Sequence, residues 1–286
     1  MDENGCAVWA RGLSKRYGDI AAVRGIDLEI AHGEVFALLG PNGAGKTTTV
    51  EILEGYRDRD GGEVSVLGAD PRRAGRAGRA WRARIGIVLQ LAADAPELTV
   101  GEMVGHFAGF YPSPRRPAEV IDLVGLTTKA SARIHTLSGG QQRRLDVALG
   151  LIGGPELLFL DEPTTGFDPA ARRAFWDVIR ALSGSGVTVL LTTHYLDEAA
   201  ALADRVAVLR DGVIVADGRP ADLGGRAAAA AVVGWQDGDA SRLERTEEPT
   251  RVVAELAARY GGEVPGLTVT RPSLEDIYLE LIGGQQ

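Results

Sequence analysis

Gly40-Pro41-Asn42-Gly43-Ala44-Gly45-Lys46-Thr47-Thr48 follows the apolar run Val35-Phe36-Ala37-Leu38-Leu39 and leads into a helix-like segment opening near Lys46. The stretch fits G-x-x-x-x-G-K-[ST], and a strand, a glycine loop and a helix are the setting in which that pattern binds phosphate. Glycines 40, 43 and 45 let the backbone bend tightly and bring its N–H groups close to phosphate oxygens. The helix that follows aims its positive end at the same anion. Lys46 then reaches the β- and γ-phosphates, and the Thr47 hydroxyl takes one position on Mg²⁺. A glycine turn can serve packing alone, but small residues ending in Lys46-Thr47-Thr48 favour a nucleotide.

Three more strands run into polar residues. Ile85-Gly86-Ile87-Val88-Leu89 ends at Gln90, Leu157-Leu158-Phe159-Leu160 at Asp161-Glu162, and Val187 to Thr193 at His194. Taken singly, Gln90 reads as a solvated edge residue or a Mg²⁺ ligand that senses the γ-phosphate, and His194 as structural or catalytic. Adjacent carboxylates ending a buried strand are costly unless a cation or donors meet them. Beside a nucleotide, Asp161 would support Mg²⁺ and Glu162 would activate water. Ligand groups gather at the carboxyl ends of strands in open α/β sheets, so these ends form a constellation. Leu137-Ser138-Gly139-Gly140-Gln141-Gln142 opens another helix and by itself reads as an N-cap with anion-facing N–H groups. Tyr17 reads as a strand aromatic or as a platform for a base.

Period-two alternation over Ala7 to Ala10 and Ile26 to Ile30 predicts a β-rich opening, and residues 91 to 136 predict a mostly helical lobe. The 286 residues suffice for one large α/β domain and a smaller appendage. A net charge of −8 and a pI near 5.2 argue against nucleic acid as a partner. The arginines of Arg72 to Arg84, with Arg72, Arg76 and Arg79 in step, read as a solvated helix face rather than a membrane or phosphate patch. Cys6 is the single cysteine, Met1-Asp2-Glu3-Asn4 is no secretory signal, and no apolar run approaches the ~20 residues of a membrane helix. The expectation is a cytosolic chain.

With Gly166-Phe167-Asp168 added, these motifs in this order resemble the nucleotide-binding subunits of ABC transporters over roughly residues 7 to 222. Ser138-Gly139-Gly140-Gln141 is the discriminating piece, because unrelated P-loop proteins lack it. The resemblance implies an α/β P-loop NTPase of the ABC type. Such a chain has a RecA-like core, an antiparallel β subdomain and a helical lobe inserted at about 91–150, here with a small C-terminal α+β appendage over 226–286. It implies a head-to-tail dimer around two ATP. Tyr17 would stack on adenine, and Gly40, Pro41, Asn42, Gly43, Ala44, Gly45, Lys46, Thr47 and Thr48 would hold the phosphates. Thr47, Gln90 and Asp161 would meet Mg²⁺, Gln90 would also contact the attacking water, Glu162 would be the general base, and His194 would hold the γ-phosphate. Ser138, Gly139, Gly140 and Gln141 would face the ATP of the other protomer, with Asp168 across the dimer contact. Phe167 departs from the leucine usual in the family.

One such domain without a membrane span looks like a separate subunit. It would pair with itself or a related ATPase and with an integral membrane permease at the inner face of the cell membrane. Glu54-Gly55-Tyr56-Arg57, Gly62 to Gly68 and the strand before Gln90 resemble the exporter group that includes daunorubicin-resistance and sodium-extrusion ATPases. The ending Pro272 to Tyr278 resembles the tail of that group. In the tail, Ala227 to Ala231 reads as strand or linker, and Thr250 to Tyr260 as a helix with Val253, Leu256 and Tyr260 on one face. Gly266 to Thr270 reads as a strand, and Ser273-Leu274-Glu275-Asp276 as a capping box. Export powered by ATP is the expectation; an importer subunit and a soluble ABC ATPase without a transport role are the alternatives.

Overall fold

The computed structural model describes residues 5–73, 75–88, 97–228, 230–271 and 273–283. They fall into two compact units, one up to Asp217 and one from Gly218 on.

The first unit opens with β1 (Cys6–Tyr17), β2 (Ile20–Ala31) and β3 (Val35–Leu39), then α1 (Lys46–Leu53) and β4 (Gly61–Val66). An antiparallel sheet forms in the order β2-β1-β4. The predicted alternation is visible in β2, where Ile26, Leu28 and Ile30 are buried and Asp27 is exposed. Next come α2 (Gly75–Arg82) and β5 (Ile85–Val88), and later β6 (Leu157–Asp161), β7 (Thr188–Thr193), β8 (Arg205–Arg210) and β9 (Val213–Gly218). With β3 they make a second sheet, ordered β5-β6-β7-β3-β8-β9 and parallel from β5 to β8. Parallel strands covered on both faces read as unbroken apolar runs. All five residues of β3 and all six of β7 are accordingly buried. Phe36, Phe159 and Leu190 of this sheet share one core with Val8, Ile30 and Leu53.

Between β5 and β6 lie α3 (Val100–Ala108), α4 (Pro117–Leu123) and α5 (Gly139–Leu151), and α3 packs on both of the others. Thr99 and Glu102 close a capping box on α3, and Pro117 opens α4 where its missing N–H is harmless. The helices α6 (Pro169–Gly184) and α7 (Leu196–Leu202) flank β7 in sequence. One expectation needs correction: α2 starts at Gly75, so Arg72 is not on it. Asp70 turns the chain instead, accepting from Arg72 N at 3.0 Å while Arg59 grips its carboxylate at 2.8 and 2.9 Å. Arg76 and Arg79 are exposed as predicted, with Trp81 buried on the other side of α2.

The second unit holds β10 (Ala231–Asp237), β11 (Ala240–Thr246), α8 (Pro249–Tyr260), β12 (Thr268–Thr270) and α9 (Leu274–Gly283). Its antiparallel sheet runs β11-β10-β12, and α8 packs on β10. The expected face of α8 packs inward, with Val252 added to it. Val252 and Leu256, one turn apart, are fully buried with Val233 and Val264, whereas Val253 and Tyr260 are only partly covered. Ser273 and Asp276 form the predicted capping box: Asp276 N donates to Ser273 Oγ at 3.1 Å, and Ser273 N to Asp276 Oδ2 at 2.7 Å. Residues 223–228 form a helical turn, and β10 begins at Ala231, inside the segment expected as strand or linker.

Candidate nucleotide site at the strand ends

Register places the motifs side by side. Leu39 pairs with Thr193, and Asp161 with Thr192, so Gly40, Glu162 and His194 leave the sheet along one edge. The loop after β3 packs so closely that only glycine fits at two positions. A Cβ on Gly45 (φ +104) would lie 2.3 Å from Ala22 O, and one on Gly40 2.3 Å from Leu209 O. Lys46 is 6% exposed, and its Nζ donates to Gly40 O at 2.7 Å and Pro41 O at 3.2 Å. Burial lowers the Lys46 pKa, and the charges of Glu162 and Asp161 oppose the drop. Thr47 is exposed on the first turn of α1.

Thr192 organises the carboxylates. Its hydroxyl donates to Asp161 Oδ1, and Glu162 N approaches Thr192 O and Oγ1 at 3.1 Å each. Glu162 has φ +43, a left-handed conformation that costs a non-glycine residue about 1–3 kcal/mol and persists only where its surroundings fix it. His194 Nδ1 stands 3.3 Å from Glu162 Oε2, and Thr165 Oγ1 3.4 Å from the same oxygen. Glu54, at the end of α1, is 7% exposed, and burial, then Asp161 and Glu51, push its carboxyl up to about 8. It is therefore largely neutral at pH 7.

On the other side of Glu162, α5 begins with a reciprocal cap. Ser138 Oγ accepts from Gln141 N at 3.3 Å, and Gln141 Oε1 from Ser138 N at 3.0 Å. Ser138, Gly139, Gly140 and Gln141 line a cavity of about 540 Å³ together with Gly166, Phe167, Asp168 and the start of α6. Asp168 caps α6, accepting from Ala170 N at 2.9 Å and Ala171 N at 2.8 Å. Phe167 meets Phe175 edge to face at 5.8 Å, which gives the larger side chain a packing partner where leucine is usual. No residue of the loop Gly40 to Thr48 lines this cavity. Tyr17, at the end of β1, is 40% exposed with the Arg57 guanidinium 5.4 Å from its ring. Gln90 lies outside the described residues.

Two groups that motif reading missed sit at the centre of this edge. Thr192 was legible only as a strand residue. Arg143 lies inside α5, where nothing in its spacing points to this edge, yet its guanidinium reaches the backbone carbonyls of Asp161 and Pro163, on either side of Glu162.

A lysine held in the loop after one parallel strand and acids at the end of another define a P-loop NTPase. The ABC transporter family matches residues 23–165. The Nod factor export ATP-binding protein I of Bradyrhizobium diazoefficiens is 36% identical over 305 residues, covering 99% of this chain and 98% of that one. The daunorubicin/doxorubicin resistance ATP-binding protein DrrA of Streptomyces peucetius is 38% identical, covering 97% and 92%. An ATP-binding cassette solved as a dimer in a post-hydrolysis state with ADP and Pi superimposes with a TM-score of 0.66 at 25% identity, over 74% of this chain and 98% of that one. The chain belongs to the ABC transporter family and has the cassette fold, and it is an ATPase.

Proposed function

We propose that this chain is the ATP-hydrolysing subunit of an exporter, closing as a head-to-tail pair around two ATP and driving a separate membrane permease. The observation that carries the hydrolytic reading is the placement of Glu162. Its carboxylate lies 3.3 Å from His194 and on the same sheet edge as the buried Lys46. Glu162 would take the proton of the attacking water, and Lys46 and His194 would stabilise charge on the γ-phosphate. Gly40, Pro41, Asn42, Gly43, Ala44, Gly45, Thr47 and Thr48 would cradle the phosphates through the loop and the start of α1, and Tyr17, exposed at the end of β1, would stack on the adenine.

Among the described residues no cluster of three or more histidine, cysteine or acidic side chains could hold a metal. That suits Mg²⁺ at a phosphate site, where one or two carboxylates, substrate phosphates and water supply the ligands. Asp161, with one oxygen engaged by Thr192, and the exposed Thr47 fit this donor set, with Gln90 as the third expected ligand. The ion would neutralise charge on the phosphates.

Head-to-tail closure is supported by the cavity at the start of α5, which no residue of Gly40 to Thr48 lines: Ser138, Gly139, Gly140, Gln141 and Asp168 would face the ATP of a second copy or a related subunit. Both relatives are named for export or for drug resistance, which supports export over import. No described helix is long and apolar enough to cross a membrane, so a permease would hold the subunit at the inner membrane face. We assign residues 7–222 to the ATPase and 226–286 to support of the dimer; deleting 226–286 should weaken ATP-driven dimerisation, and unchanged dimerisation removes that role.

The test is Glu162→Gln. It should bind ATP and dimerise while hydrolysis falls on the order of 10²–10⁴-fold. Turnover near that of the unaltered protein rejects Glu162 as the base. Affinity purification from membranes should return a multi-span protein in stoichiometric amount; cytosolic partners alone would keep the ATPase and remove the exporter.

A further inference from the structure

We propose that Arg143 is a positioning residue for Glu162, fixing the direction of its carboxylate from the helix that begins at Ser138; this rests on Glu162 being the base. Arg143 is 7% exposed, one turn into α5. Its Nη2 donates to Asp161 O at 2.8 Å and its Nε to Pro163 O at 3.1 Å. The guanidinium therefore grips the carbonyls on either side of Glu162. A planar fork of donors suits two carbonyls in a way that a lysine ammonium does not.

Glu162 needs such an anchor. Its φ of +43 is unfavourable, and its own N is held from the opposite direction by Thr192 at 3.1 Å. Grip from both sides determines the peptide orientation, and with it where the side chain points. Asp146, on the next turn of α5, places a carboxylate oxygen 3.7 Å from Arg143 Nη1 and steadies the guanidinium at its far end. Arg143, Asp146 and Glu162 line one cavity of about 320 Å³ with Gly139 and Thr165. A shift of α5 would thus be carried toward the base through the Arg143 side chain, which links the helix capped by Ser138 to the hydrolytic edge.

The plain alternative is that Arg143 only fastens the helical lobe to the core, and kinetics separate the two. In Arg143→Met, kcat should fall ~10- to 100-fold, the scale expected for a misplaced reacting group. KM for ATP and ATP-dependent dimerisation should stay within about twofold. Arg143→Lys, which can reach one carbonyl, should recover part of kcat, and its melting temperature shows that the fold is intact. On a Glu162→Gln background, Arg143→Met should lower the residual single-turnover rate by less than about twofold, because both act at one step. A kcat within twofold of the unaltered protein in either Arg143 variant overturns the proposal. So does an undiminished further loss on the Glu162→Gln background. Should Arg143→Met not fold, Arg143→Lys alone decides by the same limit. Full turnover in Glu162→Gln by itself would instead reject the base, a separate failure read before any Arg143 variant is made.

Discussion

The strand-end edge and the cavity at the start of α5 are built on opposite plans. At the edge, Lys46 is buried, Glu162 is held left-handed beside Asp161, and His194 lies 3.3 Å from the Glu162 carboxylate. In the cavity three polar side chains serve as helix caps: Ser138 and Gln141 cap α5, and Asp168 caps α6. Gly139, Gly140, Gly166, Ala170, Ala171 and Ala174 leave room in the rest of its wall, beside Phe167 and Arg144. The edge concentrates charge and strain at high cost, whereas the cavity offers two helix starts and room. Within one chain no residue of the loop Gly40 to Thr48 lines that cavity, although Glu162 shares a smaller one with Gly139. In the head-to-tail reading, one copy supplies the machinery and the other the lid.

The largest effect should come from the edge. Lys46→Ala removes the charge that the loop holds against two carboxylates, and turnover should drop at least ~10²-fold; full activity would overturn the phosphate reading. Ser138→Arg, which fills the cavity, should silence turnover about as deeply in a homodimer. The sharper measurement mixes the two variants. If each site takes its edge from one chain and its cavity from another, a mixed pair contains one site with both defects and one with none. Activity should return on mixing. A mixture as silent as its components would mean that edge and cavity serve one chain, and the comparison would break.

Much of this edge could be read from residues alone, because motif and strand are local. An apolar run followed by a turn places Gly40, Asp161 and His194 at strand ends without knowledge of strand order, and parallel pairing then aligns them. Arg143 was not legible for the converse reason: it acts on backbone carbonyls 18 and 20 positions away, which have no residue identity to recognise. The β10–β11 hairpin was missed although Gly238-Asp239 is a turn signal. The strand after it, Ala240–Thr246, lies almost wholly exposed, so it carries no apolar alternation. On α8, Val253, Leu256 and Tyr260 were legible as the inward side, but Val252 was not, since adjacent valines are equal candidates until β10 is in place.

A smaller effect is expected at Gly45. Gly45→Ala meets both the positive φ and the contact with Ala22 O, and should lower stability by roughly 2–3 kcal/mol, read as a lower melting temperature. Added ATP should restore less of it than in the unaltered protein, because the same loop must hold phosphate. An unchanged melting temperature would show that the loop relaxes away from Ala22, and that its tightness is no part of the edge.

The smallest effect on turnover should follow the largest disturbance of the second unit. Leu256 is 6% exposed among Val233, Val252 and Val264. Leu256→Ala should destabilise that small core by about 2–5 kcal/mol. Its cluster holds no residue of β3, β6 or β7, so ATP turnover per dimer should stay within about twofold while denaturant melts split into two transitions. A single transition with turnover lost in parallel would mean that the two units unfold as one. The contrast that matters would then no longer be edge against cavity, because the unit from Gly218 on would be part of what keeps the edge strained.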